Sequence, residues 1–209
     1  MFKEMLKQIS KELKIHAPFT IFGAITGIVV MILFQRLSSK VSYNIFYTLH
    51  PIHVILSALV TTSMYEFHRC SVESRRCSIW VLLIIGYVGS VGIATLSDSV
   101  IPYLGETLLG MPNREIHLGF IEKWWLINPL ALLGVAIAYF RPRTKFPHAG
   151  HVLLSTWASL FHIIMAMGQV LNWFIYVIIF LFLFIAVWVP CCVSDIVFPL
   201  LFVKPEKGG

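Results

Sequence analysis

The chain has 209 residues, 58% of them hydrophobic and 12% charged, with a mean hydropathy of +0.83; soluble domains have roughly 45–50% apolar and about 25% charged residues. This excludes a soluble enzyme, a secreted domain, a nucleic-acid reader and a disordered scaffold, so the formal net charge of +6 is no sign of a nucleic-acid partner. Charge-free runs cover 15–35, 41–65, 77–97, 124–140 and 146–194. A bilayer core of about 30 Å takes about 20 apolar residues per helix, so the first four runs hold one span each and the last holds two. The expected fold is an all-α polytopic membrane protein with the lipid bilayer as its solvent.

In chain order, residues 1–16 place Phe2, Met5, Leu6, Ile9 and Leu13 on one helical stripe with Lys3, Lys7, Lys11 and Lys14 around it. This reads as an interfacial amphipathic helix. Its charged stretch is long and no small-residue cleavage site follows, unlike a cleavable signal. Six spans are predicted, at about Pro18 to Phe34, Tyr43 to Tyr65, Ser78 to Leu96, Trp124 to Phe140, His148 to Met167 and Trp173 to Pro190. Gly23 and Gly27 form a helix-packing GxxxG in the first, and Trp124, Trp125 and Trp173 read as interface anchors.

Basic residues concentrate in loops that stay in the cytoplasm. With the N-terminus inside, the inner face receives Lys3, Lys7, Lys11, Lys14, Arg69, Arg75, Arg76, Arg141, Arg143, Lys145, Lys204 and Lys207, twelve of the sixteen Lys and Arg. The outer face keeps Arg36, Lys40, Arg114 and Lys123 beside Asp98, Glu106, Glu115 and Glu122. A plasma (inner) membrane protein with both termini cytoplasmic follows, with Glu106, Glu115 and Glu122 read as solvated loop residues. Cys70, Cys77, Cys191 and Cys192 then fall near the inner side, where thiols stay reduced, and imply no disulfide framework.

The polar residues bordering the runs recur. His50-Pro51-Ile52-His53-Val54-Ile55-Leu56-Ser57 matches His148-Ala149-Gly150-His151-Val152-Leu153-Leu154-Ser155 at five of eight positions. Ser97-Asp98-Ser99-Val100-Ile101-Pro102-Tyr103-Leu104 matches Ser194-Asp195-Ile196-Val197-Phe198-Pro199-Leu200-Leu201 at five of eight, and the two offsets are 98 and 97. A weaker echo pairs His16-Ala17-Pro18-Phe19 with His117-Leu118-Gly119-Phe120. One alignment with a single-residue gap accounts for the first two, while the third, at an offset of 101, carries little alone; the expected organisation is residues 1–16, a first repeat over 17–115 and a second over 116–209. Three helices per copy reverse the second copy, giving a 3+3 inverted repeat, an architecture used by transporters for alternating access.

Polar groups inside a bilayer are costly and usually face the bundle interior with a function. His50 and His53 share one helix face, continued by Ser57 and Thr61. The expected outer set is His50, His53, Asp98 and His117; the inner set is His148, His151, Asp195 and His16. Imidazoles with a carboxylate suit Zn, Fe, Ni, Co or Mn rather than Mg or Ca. Taken singly, each of these residues reads as well as a helix cap or a satisfied polar group; the duplication is what favours a site.

The function expected first is a transition-metal permease or exporter with a metal ion as cargo, and not an enzyme. An alternative is a dihaem b-type cytochrome with ligands His53, His68, His148 and His162, since His148 and His162 are fourteen residues apart, about 21 Å along a helix. A third is an intramembrane metal hydrolase, although no HExxH occurs. Cys191 and Cys192 could add soft ligands to the inner set. A homo-oligomer, or a subunit role in a larger membrane complex, fits the same composition.

Overall fold

A computed structural model of the chain describes residues 2–34, 36–73, 78–142, 145–168, 172–192 and 198, and among these there are helices and short connections but no strand. The helices are α1 (Phe2–Phe34), α2 (Ser39–Glu73), α3 (Ile79–Thr95), α4 (Ile101–Leu108), α5 (Gly119–Glu122), α6 (Trp124–Phe140), α7 (Lys145–Ala166) and α8 (Trp173–Cys192). Among the described residues, five stretches are long and apolar enough to cross a membrane: Ala17–Phe34, Ser39–Phe67, Ile79–Leu108, Ala149–Ala166 and Trp173–Cys191. The apolar α6 has 17 residues, about 26 Å of helix.

Two of the expected boundaries differ. The amphipathic N-terminal segment is not a separate helix but runs into the first span as the single α1, with Pro18 inside it. Near this point Trp188 Nε1 of α8 donates to the Leu13 carbonyl at 2.9 Å, holding the upstream part of α1 against α8. The third span does not stop at Leu96 either. A π-helical turn, Leu96–Val100, joins α3 to α4, so the helix continues for 30 residues, about 45 Å.

That π turn has a local cause. In it the amide of Ile101 bonds back five residues to the Leu96 carbonyl. The next residue is Pro102, which has no N–H to offer the Ser97 carbonyl. The Ser159 hydroxyl of α7 donates to that carbonyl instead, at 2.9 Å. Tertiary contact thus completes a backbone bond that the sequence withholds, and the chain stays helical past a proline. The helix closes at Gly110, whose φ of +64° is the left-handed conformation that ends helices.

Packing centres on α2 and α7, which lie against each other. In addition α2 packs on α3 and α6, α7 packs on α1 and α8, α1 packs on α8, and α3 packs on α6. Glycines set the close approaches. A Cβ at Gly86 would collide with Thr62 Oγ1, and one at Gly134 would lie 2.5 Å from the Ile55 carbonyl oxygen. The GxxxG of α1 faces α7, where Gly23 meets Thr156 and Gly27 meets Leu160. Phe22, Ile25 and Val29 on α1, Trp80 and Ile84 on α3, and Trp124, Trp125 and Trp173 point outward, as lipid-facing and interfacial residues do.

The Gly134→Ala variant is expected to lose about 1–3 kcal/mol of stability through overpacking against α2, read as a lower melting temperature in detergent. Gly92→Ala is the control: nothing lies within 4 Å of its added Cβ, and its stability should change by less than about 1 kcal/mol.

Candidate metal centre

His50 and His53 project from α2, Asp98 from the π turn and Ser155 from α7; all four are buried, with relative exposures of 0 or 1%. The Nδ1–H groups of His50 and His53 both donate to Asp98 Oδ2, at 2.8 and 2.6 Å. The other oxygen, Oδ1, accepts from the hydroxyls of Ser97 and Ser155, both at 2.7 Å. Four side-chain donors thus converge on one carboxylate from three segments. Such saturation is what an ionised group needs away from water.

The rings are held by their flanks. Phe46 stacks on His50 with centroids 5.2 Å apart, and His151 lies parallel to His53 at 5.8 Å. Gly119 approaches so closely that a Cβ there would fall 2.6 Å from His50 Nε2. His53 Nε2, Ser57 Oγ and Ser99 Oγ are buried without a hydrogen-bond partner among the described residues.

One ligand atom from each of His50, His53 and Asp98 lies within 4.8 Å of the other two, and this is the metal-type group of three found among the described residues. A tetrahedral metal with bonds of 2.0–2.1 Å separates its ligands by about 3.3 Å. The Nδ1 to Oδ2 contacts must therefore widen slightly, and each bridging proton must pass from Nδ1 to Nε2 of its ring, a change of tautomer that keeps the imidazole neutral. The donor set fits a divalent transition ion, and its occupation competes with protons.

The other expected residues distribute differently. His117 does not join Asp98; its Nδ1 lies 3.3 Å from Glu122 Oε2, which also accepts from the Tyr47 hydroxyl at 2.6 Å. His162 donates from Nδ1 to Glu106 Oε1 at 2.7 Å, with both side chains buried. Glu106 is therefore no solvated loop residue: the continuation of the third span through the π turn carries it into the bundle. His151 is buried against His53 rather than in a separate inner layer. Cys191 packs with Val152 and Val187. The side chains of His16, His68, His148 and Cys192, and all of Cys77 and Asp195, lie outside the described residues, as does the Cys70 side chain.

Two groups of residues escape a reading by motif. Ser97 and Ser155 are visible in the repeat but not as partners of Asp98. Glu106 and His162 are 56 residues apart and have no echo in the repeat, so no spacing rule connects them. No protein-family model, no curated protein and no solved structure matches this chain.

The Ser155→Ala variant removes one of the two donors to Asp98 Oδ1, and a loss of about 1–3 kcal/mol is expected for a carboxylate oxygen deprived of a buried partner. Thermal unfolding in detergent measures it. Ser39→Ala is the control, because the Ser39 hydroxyl bonds the Met165 carbonyl away from Asp98, and its removal should cost less.

Proposed function

We propose that this chain is an integral membrane transition-metal transporter, a permease or exporter, with His50, His53 and Asp98 as its metal ligands. The observation that carries the reading is the closeness of those three buried ligand atoms, within 4.8 Å of one another. Nitrogen and carboxylate donors select Zn, Fe, Co, Ni or Mn. Ser97 and Ser155 act as positioning residues that hold the carboxylate, as outer partners commonly do around metals.

A 3+3 inverted repeat, residues 17–115 and 116–209 after the amphipathic 1–16, is the architecture this reading uses. It is supported by the packing pattern. Exchanging α1 with α6, α2 with α7 and α3 with α8 converts the α1–α7 contact into α6–α2, α2–α3 into α7–α8 and α1–α8 into α6–α3, all of which are present. The 17 residues of α6 reach the lower end of the length that crosses a bilayer, which supports a sixth span. The centre also draws on both halves, His50, His53 and Asp98 from the first and Ser155 from the second, as expected of a substrate site at a repeat interface.

By repeat position alone, His148, Asp195 and His16 echo His50, Asp98 and His117 and are the candidates for a second set on the inner side, whereas His151 packs against His53. Ser57 occupies the repeat position of Ser155, and its buried hydroxyl has no partner among the described residues. Twelve of sixteen basic residues on one face support a plasma-membrane orientation with both termini cytoplasmic. Transport is favoured over hydrolysis because the ligands are sealed from solvent. It is favoured over haem binding because the ligand atoms of His50, His53 and Asp98 lie together at one point, as a single ion requires.

Isothermal titration of Zn²⁺ into detergent-purified protein, with Zn²⁺ flux into proteoliposomes alongside, tests the proposal. Wild type should bind and transport. The His50→Ala/His53→Ala double variant should lose affinity by more than about 100-fold, beyond the roughly 10–100-fold cost of removing outer partners such as Ser155. Equal affinity in the folded double variant would rule out this centre.

A further inference from the structure

The Glu106 and His162 pair is not accounted for by the metal centre or by the repeat. At the repeat offsets of 97 and 98, Val203 stands for Glu106 and Met64 for His162. The repeated framework therefore exists without this pair. A buried carboxylate and imidazole inside a bilayer are expensive to keep and usually mark an ion or proton pathway.

Its surroundings define what it can hold. Two ligand atoms face each other, His162 Nδ1 and Glu106 Oε1, at 2.7 Å, a distance suited to a shared proton. Glu106 Oε2 and His162 Nε2 are both buried without a partner among the described residues. Among the described residues the pair has no close third ligand such as the Asp98 centre has, so a proton fits it better than a metal.

The pair sits between the centre and a more exposed cluster. On one side Phe46 of α2 contacts His162 at 5.5 Å and His50 at 5.2 Å between ring centroids. On the other, the His117 ring packs 5.4 Å from His162 and bonds Glu122, whose side chain is 33% exposed. The titratable and charged groups facing this side are Glu106 from α4 and His117 from the loop, and behind His117 are Glu122, Tyr43, Tyr47 and Lys123, the last over both tyrosine rings.

We propose that Glu106 and His162 form a proton-exchange site coupled to the metal centre. With the centre empty, the pair holds one proton as imidazolium and carboxylate. A divalent ion bound by His50, His53 and Asp98 repels it across Phe46. One N–H bond of His162 then breaks, and the proton leaves by way of His117 and Glu122 to solvent. Return of that proton favours metal release, so metal movement in one direction is exchanged against protons in the other. The inference rests on the metal reading of the Asp98 centre.

The test is NMR of protein labelled with ¹³C-histidine in detergent, with the His162 signal assigned by its loss in His162→Gln. In metal-free wild type, at the pH where this signal is half-titrated, Zn²⁺ should lower the protonated fraction to about one tenth or less, the order expected for a doubly charged ion beyond one aromatic ring in a medium of low dielectric. Chelation should restore it. Glu106→Gln, which keeps an acceptor but not the charge, should leave His162 mostly neutral without metal. A His162 signal that ignores Zn²⁺ in protein that binds Zn²⁺ overturns the exchange and leaves the metal reading standing. Wild type that binds no Zn²⁺ overturns both. Elution volume and melting temperature confirm that each variant is folded.

Discussion

The structure depends on one buried carboxylate. Asp98 accepts from His50, His53, Ser97 and Ser155, and in doing so it ties the π turn to α2 and α7. Each of these polar groups would be costly to bury alone in a bilayer-spanning bundle. Together they are mutually satisfied, and the cost of one is offset by the presence of the others. The backbone is adapted to the same end. Pro102 leaves the Ser97 carbonyl open, Ser159 fills it, and the added residue of the π turn aims Asp98 at the two histidines. Single π turns inside longer helices are frequent at functional sites.

Because the carboxylate already holds two imidazoles by their Nδ1 protons, a metal ion bound as proposed would take Nδ1 positions from which the rings now donate to Asp98. Metal binding by imidazole and carboxylate ligands carries an intrinsic pH dependence, because each ligand must be unprotonated at the coordinating atom. Acidification favours the protonated, metal-free centre. The same electrostatics links the centre to Glu106 and His162 across Phe46, on the side where His117 and the partly exposed Glu122 lead outward. Glu106 and His162 have no counterpart in the sequence echoes that link His50, His53 and Asp98 to the second half of the chain.

Much of this is legible in the sequence, for identifiable reasons. Charge-free runs locate helices because lipid tolerates few charges, and α6 spans the same residues, Trp124–Phe140, that its run predicts. His50, His53 and Asp98 stand out because polar residues recur between halves whose apolar residues are interchangeable. The continuation of the third span is hidden because Ser-Asp followed by Pro ordinarily closes a helix; the five-residue spacing from Ser97 to Pro102 is the available signal for a π turn. Glu106 is misplaced for the same reason, since a helix ending at Leu96 leaves it in a loop. His117 groups with the metal ligands through its repeat echo with His16, but its partner is Glu122, supplied by the four-residue α5 that follows it. Three-dimensional pairing between distant, unrepeated residues leaves no periodicity to read.

The proposed function rests on direct binding of a metal by two imidazoles and one carboxylate. X-ray absorption at the zinc edge, on purified protein loaded with one equivalent of Zn²⁺, measures that shell most directly. Nitrogen and oxygen ligands at about 2.0–2.2 Å are expected, with the outer-shell scattering of two imidazole rings, lost in the His50→Ala/His53→Ala variant. A shell dominated by sulfur, or one unchanged in that variant, would contradict it.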